Sequence, residues 1–165
     1  MKKSHIVASL FVLLSASFAL HPPYDQSVRV PVDTYNVPNE IDACMKRLPG
    51  LIINGEMNPF YLSADFDGDG RLDFAIQVTR TEMKGIAVCL SSQKAPIVLG
   101  AGSSLIWPPS EKWRFNAWSV VPKESTAVSR PAKAKHDAIL LDIKETANGL
   151  LYWDGRTFRW KQLSD

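Results

Sequence analysis

The sequence predicts an α+β domain, a mainly antiparallel β-sheet with one short N-terminal helix, and three observations carry that expectation. Past residue 50 the chain breaks into short apolar runs separated by turn residues, the texture of antiparallel strands. Ahead of them a single stretch, residues 39–48, has helical spacing with start and stop signals in the right order. No segment repeats at a fixed period, so one domain and not an array is expected.

The chain opens with Met1, Lys2 and Lys3, runs apolar from Ile6 to Leu14, and continues into Ser15, Ala16, Ser17, Phe18 and Ala19. That charged, apolar, small-residue order is that of a secretory signal peptide over residues 1–19, with cleavage expected after Ala19. The apolar run is well short of the roughly 20 residues a spanning helix needs, so the mature product is expected to leave the membrane. It is expected to be periplasmic or secreted, and monomeric. Removing the leader takes Lys2 and Lys3 away, so the 19 basic residues become 17, against 17 acidic ones. A near-neutral mature chain offers no electrostatic footprint for nucleic acid. Cys44 and Cys89 both survive cleavage, and an even cysteine count in an oxidising compartment predicts a disulfide between them. Closing a loop of this length stabilises a fold by roughly 4 kcal/mol on the chain-entropy model.

Residues 20–38, with Pro22, Pro23, Pro31 and Pro38 and no sustained period, read as an extended arm; residues 39–165 form the domain. In the helix, Asn39 is expected as N-cap, Glu40 and Asp42 in the first turn, Lys46 and Arg47 at the end, and Pro49-Gly50 as the stop. Ile41, Cys44, Met45 and Leu48 share one face, which should lay Cys44 against a sheet. Strands are expected near residues 60–63, 73–80, 86–91, 96–99, 117–121, 138–143, 149–153 and 157–162. The last two flank Asp154-Gly155, a dipeptide suited to a two-residue hairpin turn. Residues 107–116 and 122–136 read as loops, the second basic through Lys123, Arg130, Lys133 and Lys135 and expected to be solvated.

One segment carries specific chemistry. Asp65-Phe66-Asp67-Gly68-Asp69-Gly70-Arg71-Leu72-Asp73 sets carboxylates at positions one, three, five and nine of a loop, with glycine at six. Calcium is a hard cation that takes six to eight oxygens, and this spacing lets alternate side chains converge while Gly70 takes the sharp turn. Asp65, Asp67, Asp69 and Asp73 are the expected ligands, with the backbone carbonyl of Arg71 and the Arg71 side chain turned away. Four carboxylates in nine residues repel one another without a cation, which argues against a plain turn. An EF-hand would need a glutamate at position twelve, where Ile76 stands, and helices where strands are expected.

The loop resembles the DxDxDGxxD calcium loop of the integrin-type FG-GAP and VCBS repeats, in which it links two strands. The chain is also similar to small exported bacterial proteins of uncharacterised function that carry a single such loop. That likeness runs through residues 64–78, through Gly85-Ile86-Ala87-Val88-Cys89, and through Leu151-Tyr152-Trp153-Asp154-Gly155 with Phe158 and Trp160. It implies a calcium loop between two strands of one domain. Since only one loop is present, the propellers built by tandem repeats are not expected.

Other signals are weaker. Gly100 and Gly102 follow an apolar run but lack the lysine and hydroxyl of a phosphate loop, so a glycine turn is expected. His21 and His136 stand in no recognisable nucleophile setting and read as surface residues. Trp153 and Trp160 are expected to pack across the hairpin, while Trp107 and Trp113 are better placed for contact with a partner. The chain thus reads as an exported, calcium-stabilised, non-catalytic module that binds a protein or glycan of the cell envelope. Its rivals are a secreted or periplasmic hydrolase and an enzyme inhibitor using residues 107–116.

Overall fold

The computed structural model describes residue 32 and residues 36–103, 115–143 and 147–164. The expected leader, most of the expected arm and most of the aromatic loop, with Trp107 and Trp113, lie outside the described residues.

Helix α1 (Asn39–Met45) is followed by β1 (Ile52–Ile53), β2 (Tyr61–Ala64), β3 (Asp73–Arg80), β4 (Met83–Cys89) and β5 (Ile97–Gly100). These strands make the first sheet, in the order β1-β3-β4-β5, with β2 also paired to β3. Then come β6 (Ala117–Val121), β7 (Ala138–Ile143), β8 (Ala147–Trp153) and β9 (Phe158–Ser164), a second sheet in simple meander order. Every pairing is antiparallel. Among the described residues the fold is therefore mainly β with one short helix, and it has two sheets where a single one was expected. Strand positions followed from the apolar runs except for the two-residue β1, which was not expected, and a run does not say which neighbour it pairs with.

Period-2 alternation explains the layering. In β3 and β4, Ile76, Val78, Ala87 and Cys89 face α1, whose Ile41 and Cys44 are fully buried against them. The intervening residues Ala75, Ile86 and Val88 face the other way and share one core with Trp118, Ile139, Leu141, Leu151, Trp153 and Phe158 of the second sheet. β3 and β4 are thus buried on both faces. The outer face of the second sheet carries Val121, Ala138, Leu150 and Tyr152, covered by Ala134 and Val128 from residues 122–136.

Cys44 and Cys89 form a disulfide, with Cα atoms 6.2 Å apart, that fixes α1 to the end of β4. The helix is shorter than expected, and its N-cap is Pro38 with no side-chain cap, so Asn39 is the first helical residue and not the cap. Proline suits an extended residue at a helix start, with its carbonyl accepting from Ile41 N and Asp42 N. Lys46 and Arg47 fall beyond the helix; the Arg47 guanidinium donates to Ala43 O and Lys94 O. The closing hairpin also differs. Trp153 pairs with Phe158, leaving a four-residue connection, 154–157, in place of a two-residue turn. The Asp154 carboxylate decides this by accepting from Arg156 N and Thr157 N, both at 2.9 Å.

Residues 122–136 are not a merely solvated loop. The Arg130 guanidinium donates to the carbonyls of Val121, Pro122, Ala134 and His136 and so gathers the segment around itself. An arginine with five donors does this where lysine cannot.

Candidate metal centre

β2 ends at Ala64 opposite Asp73, the first residue of β3, so residues 65–72 are the connection of one hairpin. Phe66 is fully buried in the core between the sheets and pins the start of this loop to it. Asp73 follows the inward parity of Ala75 and is also fully buried.

Side chains of the loop satisfy its own backbone. Asp65 accepts from Gly68 N at 2.7 Å and from Gly70 N at 3.0 Å, one with each carboxylate oxygen. Asp67 accepts from Asp69 N (3.1 Å), and Asp69 from Arg71 N (2.8 Å). Gly68 (φ 84°) and Gly70 (φ 80°) are left-handed, the backbone region glycine enters at no steric cost. A Cβ at Gly68 would also fall 2.1 Å from His136 Nδ1, so the imidazole packs directly on the loop backbone.

The carboxylates meet unequal surroundings. Oxygens of Asp65, Asp67 and Asp73 all lie within 4.8 Å of one another. Asp73 accepts from Phe66 N (2.9 Å) and Ser91 N (2.7 Å). Burial pushes the Asp73 pKa up, those backbone bonds pull it down, and the charge of Asp67 pushes it up again. Asp69 is outside this group. Its Oδ2 accepts from Ser91 Oγ (2.8 Å) and from Arg71 Nε (2.9 Å) and Nη2 (2.7 Å). The hydroxyl first and the guanidinium second hold its pKa below the usual value.

Three carboxylates converging at one point can hold a metal ion, and their environment fits one. Each already spends a lone pair on a backbone or hydroxyl donor, so the loop is shaped without a cation, while a buried carboxylate beside two others gains from positive charge. Of the residues expected as ligands, the structure brings Asp65, Asp67 and Asp73 together. It turns Asp69 toward Arg71, and the Arg71 side chain lies with Asp69 on the exposed side.

Four neighbours were not foreseen. Ser91 and Ser92, just past β4, bind Asp73, Asp69 and Asp67; the Ser92 hydroxyl donates to Asp67 Oδ2. Just ahead of β7, Asp137 N donates to the carbonyl of Asp65 at 3.3 Å, next to the His136 that covers Gly68. A serine pair after a strand is a common turn composition, and only the folded register of β3 against β4 places it here.

Compared with known protein families, curated proteins and solved structures, the chain finds no match in any of the three. Among the described residues no helix is long and apolar enough to cross a membrane. The disulfide is compatible with export.

Proposed function

We propose that the protein is an exported, non-catalytic binding module of the cell envelope whose fold is stabilised by calcium at residues 65–73. The observation that carries the metal reading is the convergence of Asp65, Asp67 and Asp73 at the junction of β2, β3 and the turn after β4. All donors there are oxygens, which suits a hard cation, and an all-protein carboxylate cage suits calcium better than magnesium. The likeness of the loop to the FG-GAP and VCBS calcium loops supports the same ion. By that spacing Asp69 and the carbonyl of Arg71 complete the set, which requires Asp69 to release the Arg71 guanidinium. Bound calcium supplies charge neutralisation and a tie between strands; the loop lacks the paired helices whose opening transmits a signal in sensor EF-hands. Export rests on the leader-like residues 1–19 and agrees with the disulfide. The non-catalytic assignment rests on four acids committed to one cation.

Thermal unfolding and calorimetric titration test this. Extracellular sites bind calcium with dissociation constants of about 0.1–1 mM, so roughly 1 mM free ion contributes about 0.4–1.4 kcal/mol and a melting temperature higher by a few degrees. Asp67→Asn removes that rise. Equal melting temperatures in chelator and in calcium, with no heat of binding, would refute the assignment.

A further inference from the structure

The edge of the first sheet is interrupted. β1 pairs Ile52 and Ile53 with Thr79 and Val78, β2 resumes with Tyr61 opposite Ile76, and residues 54–60 leave the edge between them. At the gap stands Gln77, whose carbonyl accepts from Asn54 N and whose N–H donates to Phe60 O, both at 2.8 Å. The excursion leaves a cleft of about 250 Å³. Asn54 and Gln77 are its buried floor, Met57 and Phe115 its half-buried walls, and the Glu56–Lys84 ion pair its exposed rim.

Each floor amide has one end engaged and one left over. Asn54 Oδ1 accepts from Glu56 N at 3.0 Å, and Gln77 Nε2 donates to Pro59 O at 3.1 Å. Asn54 Nδ2 and Gln77 Oε1 have no protein partner among the described residues. The two residues are only 8% and 4% exposed, yet neither of these atoms is sealed off, so each is open to a partner that enters the cleft.

We propose that this cleft is a binding site for an N-acetylhexosamine, which it recognises by the acetamido group. A secondary amide offers the complementary pair, a carbonyl for Asn54 Nδ2 and an N–H for Gln77 Oε1. Among the described residues the only formal charges lining the cleft, Glu56 and Lys84, neutralise each other, so the cleft selects a neutral ligand. Phe115 and Met57 give the apolar wall on which a pyranose ring or an acetyl methyl can lie. The volume is below the ~300 Å³ at which pockets for drug-sized ligands begin, and suits a single ring. An added peptide strand is disfavoured, because the backbone of Gln77 in the gap is already bonded on both its N–H and its carbonyl. The cleft shares no residue with the metal centre, so the two assignments stand or fall separately.

Proton–nitrogen correlation NMR of the purified protein tests the site, since the side-chain amides of Asn54 and Gln77 report directly. N-acetylglucosamine, glucose and N-acetyl-alanine methylamide are the probes. N-acetylglucosamine should shift both amide signals saturably and bind about tenfold or more tightly than glucose, which lacks both amide hydrogen bonds. Gln77→Met removes the acceptor and should erase that preference; Pro59 O keeps a donor in Trp118 Nε1 at 2.6 Å. Should Gln77→Met not fold, the wild-type titration decides alone. No saturable shift, an equal response to glucose, or tighter binding of the capped alanine would overturn the proposal, the last by assigning the cleft to peptides.

Discussion

The connection 65–72 in the first sheet and the connection 154–157 in the second both join antiparallel strands through aspartate and glycine, yet their charges are met differently. At 154–157 one carboxylate accepts two backbone bonds and a third from Arg159 Nε at 2.8 Å. That guanidinium first, then the backbone bonds, hold the Asp154 pKa well below the usual carboxylate range. At 65–72 the loop's one arginine is spent on Asp69, leaving three clustered carboxylates, of which the buried Asp73 is pushed upward. One turn therefore carries its own counter-charge and the other is left to recruit one. The same two residue types give a closed structural turn in one place and a carboxylate cluster that could hold a cation in the other, according to where the nearest arginine reaches.

The largest expected effect tests how the acid loop is anchored. Phe66→Ala should cost about 3–5 kcal/mol in urea unfolding, because the ring fills the core between the sheets. A cost below about 1 kcal/mol would mean the loop is held by its polar bonds alone. Next, in millimolar calcium, Asp73→Ala should cost about 2–4 kcal/mol, since Phe66 N and Ser91 N both lose their acceptor. A near-neutral result would show that this carboxylate does not join the loop to the turn after β4. Arg71→Ala sharpens the contrast in counter-charge: with its competitor for Asp69 gone, calcium should bind about two- to fivefold more tightly by calorimetry, the scale of an exposed ion pair. Unchanged or weaker binding would leave Asp69 outside the ligand set.

The smallest effect belongs to the closed turn. Because the folded pKa of Asp154 is depressed, its contribution is present above the unfolded value of about 3.9 and is lost as pH falls below it. In chelator, wild type should lose more melting temperature between pH 6 and pH 3 than Asp154→Asn does, and calcium should shift both proteins equally. Parallel pH profiles would remove the Arg159 pair as a source of stability.

Much of this molecule could be read before folding. Apolar alternation located the strands, because a half-buried pleat imposes period two wherever it occurs, and helical spacing from Ile41 to Cys44 located α1. The cysteine pair and the DxDxDGxxD spacing were legible for a like reason, since covalent and ionic chemistry require particular residues at particular intervals. Turn geometry at 154–157 was not legible. Asp-Gly admits both a two-residue and a four-residue connection, and the choice fell to bonds made by the Asp154 carboxylate.

The sequence by itself determined the elements other than β1, the disulfide partners and the acidic character of residues 65–73, all set by local spacing or by residue identity. Only the tertiary structure decided that the strands form two sheets. It also decided that Ser91, Ser92, His136 and Asp137 close around the acid loop, that Asp69 turns to Arg71, and that Asn54 and Gln77 share a cleft floor. These are contacts between residues far apart in the chain, and they depend on strand register and on the stacking of one sheet over another, which no local pattern encodes.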